Sequence, residues 1–591
     1  MLLRLCTGFA FLGLVAGYGF ADSDSSEELR FKRNHILGKR VNFANLQRRS
    51  LLPREGEEQF YKYLSACNQD GEIKLIPAFD CRNQVAVGRY RNAINSTGWS
   101  YLEIETRAEY DTDLQAYAAG VLEGALTKNV LSYHISNTVL DYCTGFKGYC
   151  KRLTKYLTEH LKYVKNKIDT APRDDPYWQS IRRSYLQLSG VWKGYNGVQS
   201  FKGPEILYEV HPVYMINLNG EFIDLEKKFN KTKDPEMAME GDKCSGLVKV
   251  TPGNADILIS QVTMSGFQNL LRVLKLYKFG YDERLFPGHT TTFASYPGML
   301  YSSDDFALLS SGLAAIETTI NVFNTTLFES IQPKGQLHTW VRAIAANQLA
   351  RTGREWCQIF RRHNSGTYNN QWIILDYKLF TPYKPLPQYG LLYVLEQLPG
   401  FTIYKDLTQY LAENTYYASY NIPFFLKTSS LSGFDKKAEE LYWFSWSDAP
   451  RAKIFKRDHK KVTDLESLKT LMRYNDYTHE VFSKCNCTPP YTAEAAISAR
   501  GDLNDINGTY PLPGMGHVNH GALDYKGTNY QLFKQLRFRA ISSPAYDNVP
   551  AFQWSKAGDL ETKVKHIGHP DLWNFESIQT AWETPDVQAE L

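Results

Sequence analysis

The residue best equipped to do chemistry is Cys244, in Gly241-Asp242-Lys243-Cys244-Ser245-Gly246. It stands where a charged stretch gives way to β-like sequence. Residues 247–250 read as a strand, 251–256 as a turn and 257–264 as a second strand. A cysteine that opens a hairpin becomes N-terminal if the chain is cut just before it. Its free α-amino group then has an ordinary pKa of about 7.7–8.0, near enough to neutrality to take the thiol proton. One residue supplies both nucleophile and base. A buried structural cysteine at a strand start is the plainer reading, and spacing alone favours it.

The other thiols read differently. Nine cysteines include Cys6 in the N-terminal apolar run. Cys143 and Cys150 flank a short Gly-containing turn and suit a local disulfide in an oxidising compartment. Cys485 and Cys487 are one residue apart, so a bridge between them would be strained, and pairing elsewhere, with Cys67 or Cys81, stays open. Cys357 lies in an amphipathic segment and reads as a buried thiol. There is no Cys-x-x-Cys pair, and His517 and His520 read as residues of a Gly-rich loop, so neither a metal nor a cofactor is expected.

The elements that must hold Cys244 belong to a long chain of 591 residues, long enough for a large core. Its aromatic share of 14% excludes a disordered protein. With 67 basic and 63 acidic residues and no Lys/Arg block, it has no field to attract nucleic acid. Met1 to Arg4, an apolar run over 5–16 and the polar stretch after Ala21 form the layout of a secretory signal peptide, 1–21. No later run of ~20 apolar residues suggests a transmembrane span. Sequons at Asn95, Asn230, Asn324, Asn486 and Asn507 fit a secreted or lysosomal glycoprotein.

Periodicity sketches the rest. Short β-like runs occupy 72–106; helices are expected over 111–140, 149–168, 177–191 and 267–277, and β structure over 206–218. Residues 224–243 read as an exposed, charged linker. It ends an N-terminal fragment, 22–243, and the C-terminal fragment, 244–591, begins with the candidate nucleophile. No repeat period emerges.

From roughly residue 42 to 582 the chain resembles the phospholipase B-like family, with the insect lamina ancestor proteins nearest within it. The resemblance is carried by Ala118-Ala119-Gly120-Val121-Leu122-Glu123-Gly124, Ser295-Tyr296-Pro297-Gly298 and residues 302–306. Further blocks are Ile316-Glu317-Thr318-Thr319-Ile320, Asn364-Ser365-Gly366-Thr367-Tyr368-Asn369-Asn370-Gln371-Trp372 and Leu395-Glu396-Gln397-Leu398-Pro399-Gly400. Tyr417-Ala418-Ser419-Tyr420-Asn421-Ile422-Pro423 and Met472-Arg473-Tyr474-Asn475-Asp476 complete the set.

The resemblance implies an α+β fold of the N-terminal nucleophile hydrolase kind, an αββα sandwich built from both halves of the chain. It also implies maturation by cleavage between Lys243 and Cys244. Thr319 and Asn421 fall on the family's site positions, and an amide donor such as Asn421 suits an oxyanion hole. One departure stands out. Where the family commonly carries histidine and tryptophan, this chain has Gln261 and Met264. Glutamine cannot shuttle a proton, and methionine replaces a flat wall with a flexible filler.

The expected activity is hydrolysis of ester or amide bonds, as in lipid deacylation, with a lipid or small amide as substrate. The alternative is a catalytically weakened or inactive secreted glycoprotein with a binding or structural role. A homodimer is compatible with either. A serine-hydrolase elbow, a His-Glu-x-x-His motif and a phosphate loop are all missing from the sequence. Arg500-Gly501-Asp502 reads as fold-internal rather than as an adhesion tripeptide.

Overall fold

Strand alternation settles most of the architecture. In the computed structural model, which describes residues 60–197, 200–231, 243–303 and 306–591, the first strands are β1 (Lys62–Gln69), β2 (Glu72–Ile76), β3 (Gln84–Ala93), β4 (Trp99–Thr106) and β5 (Ser200–Lys202). The hairpin β6 (Lys243–Val250) and β7 (Ile257–Ser265) follows. Next come β8 (Arg272–Lys278), β9 (Thr290–Ser295), β10 (Phe306–Leu309), β11 (Leu313–Thr319), β12 (Asn370–Asp376), β13 (Leu392–Leu398) and β14 (Phe401–Asp406). The last are β15 (Tyr416–Ser419), β16 (Gly521–Ala522), β17 (Tyr525–Asn529), β18 (Arg539–Ile541) and β19 (Ile578–Gln579). The expected signal segment and residues 232–242 of the expected linker lie outside the described residues.

Two sheets result. The larger runs β14-β13-β12-β11-β10-β9-β8-β4-β3-β1-β2-β5. Its one parallel seam, β4 against β8, joins the segment before Cys244 to the segment after it. The smaller runs β15-β6-β7-β17-β18-β19, with β16 also on β7. Along the hairpin, Val248, Val250, Ile257 and Ile259 pack toward the large sheet against Leu274, Ile316 and Ile373. Leu247, Leu258, Val262 and Met264 turn the other way, into the cluster holding Leu468 and Leu471 of a helix at Leu465–Met472. Each such side chain contributes about 1.5–3 kcal/mol on burial.

The outer face of the large sheet is covered by helices. These include α1 (Thr112–Leu126), α2 (Pro176–Tyr195), α3 (Thr339–Leu349) and α4 (Gly353–Phe360), whose Ala116, Leu186, Ala346 and Trp356 meet Leu102, Tyr277 and Trp372. The layers therefore run helix, sheet, sheet, helix, and the class is α+β. Asp111 caps α1 by accepting from the Asp113 and Leu114 N–H groups. Gly120 explains a family block: a Cβ there would lie 2.0 Å from the Gln187 carbonyl oxygen, so only glycine lets α1 and α2 approach this closely.

Three expectations need correction. Residues 267–277 are not a helix: a single turn, Phe267–Asn269, leads into β8, a strand buried on nearly its whole length. Phe267, Leu270, Leu271 and Leu274 stand at helical spacing, and the strand's buried Arg272 and Lys275, paired with Asp524 and Glu123, read in sequence as a polar helix face. Residues 206–218 contain a helix, Pro212–Asn217, because Pro212 fits the first turn and the His211 ring accepts from the Tyr214 N–H. The charged stretch expected from 224 begins later, since a helix spans Asn219–Lys228 with Asp224 and Leu225 buried.

The remaining helices, Lys147–Thr170 and α2, agree with expectation, and the 111–140 stretch is split at Thr127 into α1 and Lys128–Thr138. Disulfides join Cys143 to Cys150, Cys67 to Cys81 and Cys485 to Cys487. The last two resolve the pairing left open by the sequence. Cys357 is buried and outside any disulfide, its thiol pushed up by burial. Arg500 is buried and bidentate to Asp502 at 2.8 and 2.7 Å, so the tripeptide is indeed internal. Among the described residues no helix is long and apolar enough to cross a membrane.

Candidate active site

Cys244 lies in the first turn of the pleat of β6, buried and outside any disulfide. Its backbone N–H donates to Asn421 Oδ1 at 3.0 Å. Asn421 follows β15 with φ of +68°, a left-handed conformation that asparagine tolerates better than most side chains and that marks a constrained position. Its Nδ2 donates to the Thr319 carbonyl at 2.8 Å and its own N–H to Thr318 Oγ1 at 3.3 Å. Two of the expected residues, Cys244 and Asn421, are therefore in direct contact. A third, Thr319, meets the same amide.

The orientation of Asn421 is fixed by its neighbours. Arg451, at the start of a helix spanning Pro450–Asp458, donates from Nη2 to Asn421 Oδ1 at 2.8 Å and to the Tyr420 carbonyl at 2.8 Å. From Nη1 it reaches the Cys244 carbonyl oxygen and Ser245 Oγ. Two donors thus converge on one amide oxygen, and the flipped amide would set donor against donor. In the uncut chain Asn421 is an acceptor toward Cys244. Burial pulls the Arg451 guanidinium down to about 10, offset in part by attraction to negative charge at Cys244 and Glu494.

A pocket opens beside this contact. Thr319, Asn321, Asn421, Arg451 and Glu494 give it a polar side, and Met264, Ile422, Phe434, Trp443 and Phe444 an apolar one. Thr319 Oγ1 and Asn321 Oδ1 are buried without a hydrogen-bond partner. Leaving such groups unmatched costs about 1–3 kcal/mol each, so both are available to a bound molecule. Glu494 is anchored by the His520 ring at 2.9 Å, which is where that loop histidine belongs; His517 contacts Asp559 at 2.9 Å.

Gln261 and Met264 occupy different surroundings. Gln261 faces the large sheet, its Oε1 accepting from Thr263 Oγ1 at 3.1 Å and its Nε2 lying 3.5 Å from the Glu317 carbonyl. Met264 turns toward the pocket on the opposite face. The two departures from the family pattern therefore act on separate features, one on the hairpin's inner polar row and one on the pocket wall.

The sequence profile of the phospholipase B family matches residues 86–580. The chain belongs to that family. It is 58% identical over 531 residues to phospholipase B-like 2 of Caenorhabditis elegans, covering 90% of this chain and 91% of that protein. Phospholipase B-like 2 of Rattus norvegicus is 40% identical, over 87% of this chain and 89% of its own length. Phospholipase B-like protein B of Dictyostelium discoideum is 33% identical, over 83% and 84%.

Family membership accounts for the Thr319 and Asn421 blocks but did not point to Arg451, Asn321 or Glu494. Each is brought in from a separate segment. The nearest local signal is Pro450, which marks a helix start and so fixes the helical turn carrying Arg451. The inner row of the hairpin adds Lys526, which stands opposite Gln261 and donates to Thr263 Oγ1.

Proposed function

We propose that the chain is a hydrolase of lipid ester or amide bonds, matured by cutting the Lys243–Cys244 bond and using Cys244 as nucleophile. The observation that carries this reading is Asn421, a constrained asparagine that binds the Cys244 nitrogen and the Thr319 backbone at the edge of a pocket. The four-layer order, with Cys244 opening a strand of the inner sheet, supports an N-terminal nucleophile hydrolase sandwich.

Cutting would proceed by addition of the Cys244 sulfur to the Lys243 carbonyl carbon. The S–C bond forms, the C–N bond breaks, and the nitrogen takes up the proton that the thiol gives. Water then hydrolyses the thioester, leaving a Lys243 carboxylate and a free thiol. The new α-amine would occupy the position of the present N–H, 3.0 Å from Asn421 Oδ1. In turnover it takes the thiol proton, the sulfur attacks the substrate acyl carbon, and the leaving alcohol or amine receives that proton. Water releases the acid.

The name of the relatives, phospholipase B-like, favours an acyl ester of a phospholipid, and the Phe434, Trp443 and Phe444 wall suits an apolar group. Four acceptor asparagines, Asn95, Asn230, Asn486 and Asn507, are exposed and Asn324 is half-buried, which supports a glycosylated protein of the secretory route. The test pairs N-terminal sequencing of the matured protein with turnover on phospholipid and amide panels. A fragment starting at Cys244, and a loss of about a thousandfold or more in Cys244→Ser, are expected. Full turnover in folded Cys244→Ser would remove Cys244 as the nucleophile, and absence of turnover by the matured wild type on both panels would leave the non-catalytic glycoprotein, the reading that Gln261 favours.

A further inference from the structure

Strand alternation puts a charged row beside Cys244. Thr263 is its cross-strand partner, Gln261 lies two residues along the same face, and Lys526 on β17 stands opposite Gln261. The Lys526 ammonium donates to Thr263 Oγ1 at 2.7 Å and to both Asp524 oxygens at 2.8 and 2.7 Å. Asp524 also accepts from the Thr263 N–H at 3.1 Å and pairs with Arg272 at 2.8 Å. Lys526, Asp524 and Arg272 are completely buried. From the helix on the pocket side comes Arg451, and behind it Glu494, held by His520.

Burying charged groups is costly unless something gains from them. Burial pulls Lys526 down to about 8 and Arg451 to about 10; Asp524 offsets part of this for Lys526, and negative charge at Cys244 favours the charged form of both. Attraction is mutual, so the two cations favour the ionised sulfur. We propose that Lys526 is a positioning residue that holds Cys244 as a thiolate before the chain is cut. This answers a difficulty in the uncut chain, where the α-amine that would serve as base does not yet exist. The thiol S–H bond ionises, its proton passes to solvent, one proton returns to the Cys244 nitrogen when the C–N bond breaks, and the Lys526 ammonium keeps all its protons.

The inference rests on Cys244 being the nucleophile, but its test does not use turnover. Ultraviolet thiolate absorbance is titrated in the full-length chain, with Cys244→Ser subtracted so that Cys357 cancels. The Cys244 thiolate should form clearly below the free-cysteine value of about 8.5. Lys526→Met should move that midpoint up by about one unit or more, and Lys526→Arg should restore it. A wild-type midpoint at or above the free value overturns the proposal even if Lys526→Met fails to fold. So does an unmoved midpoint in folded Lys526→Met. The expected shift together with full turnover in Cys244→Ser would keep the thiolate and remove Cys244 as the nucleophile.

Discussion

Two arginines, Arg451 and Arg342, do the same chemistry in two regions with different outcomes. Arg342 on α3 donates to the carbonyls of Leu337 and Phe360 at 2.9 and 2.7 Å, and to Thr339, Ser365 and Gln397 at 2.9, 3.3 and 2.8 Å. Arg451 likewise donates only to neutral oxygens among the described hydrogen bonds. Yet Arg342 is sealed in the interior, away from the pocket beside Cys244, whereas Arg451 borders that pocket, with its two unpartnered polar atoms and a left-handed asparagine. A buried cation is thus no mark of function by itself. What separates site from scaffold is whether the cation and its neighbouring polar groups open onto a pocket that a molecule can enter.

The Arg342 region is the clamp between the two segments of the chain. Glu221 accepts from the Thr339 N–H at 2.5 Å and from the Thr367 hydroxyl. Asp224 accepts from Asn369 Nδ2 at 2.9 Å, and the His160 ring meets the Pro333 carbonyl at 3.2 Å. Together with the β4–β8 seam, these contacts predict that two fragments made by cutting at Cys244 stay associated. Size-exclusion chromatography of the cut protein under native conditions checks this.

The largest effects should divide along that line. Arg342→Met strips several buried oxygens of their donor at once and should cost about 3–5 kcal/mol of stability in chemical denaturation. Arg451→Met should instead lower turnover by about a hundredfold, because the Asn421 amide and the Cys244 backbone lose their common anchor. Its stability should fall by no more than about 1–2 kcal/mol. The opposite pattern, with Arg451→Met unfolding and Arg342→Met merely slow, would erase the distinction.

Parts of this contrast were legible in the sequence. The hairpin around Cys244 was, because a period of two and a turn of Pro, Gly and Asn need no tertiary information. The Asn364–Trp372 and Leu395–Gly400 blocks were visible as family features, but their work was not. Thr367, Asn369 and Gln397 act on Glu221, Asp224 and Arg342, partners 55 to 146 residues away. β8 was misread because its buried Arg272 and Lys275 read in sequence as a polar helix face. Arg451 and Lys526 were invisible for another reason: each is an ordinary cation locally, and only its burial against Cys244 or Thr263 gives it significance.

A smaller effect concerns pH. Burial holds Glu221 up at about 8, Glu396 at about 7 and Asp224 at about 6. These groups keep protons in the folded state that the unfolded chain releases, so their contribution falls as pH rises from the ordinary carboxylate range through those values. Burial holds His134 and His211 down at about 3 and His160 and His459 at about 4. There the unfolded chain takes up the protons, and stability is lost as pH falls from 6.5 through those values. The urea midpoint should therefore peak at about pH 6–7. A midpoint still climbing above neutrality would show that the clamp carboxyls are ionised.

The mildest substitution tests that point at one atom. If Glu221 is neutral through the physiological range, glutamine can replace it with little loss. Its Oε1 can accept from the Thr339 N–H as the carboxyl does, and its Nε2 can donate to Thr367 Oγ1, which takes the acceptor role instead. Glu221→Gln should change stability near neutrality by no more than about 0.5–1 kcal/mol. It should also remove part of the alkaline decline, since a group that cannot ionise has no proton to lose. Glu221→Ala lacks both partners and should cost about 1–3 kcal/mol by leaving the Thr339 N–H unmatched. The informative comparison is the slope of urea midpoint against pH above neutrality. A glutamine variant with the wild-type slope would mean that the carboxyl is charged in the clamp, and that Arg342 is its counter-ion rather than a donor to neutral oxygens alone.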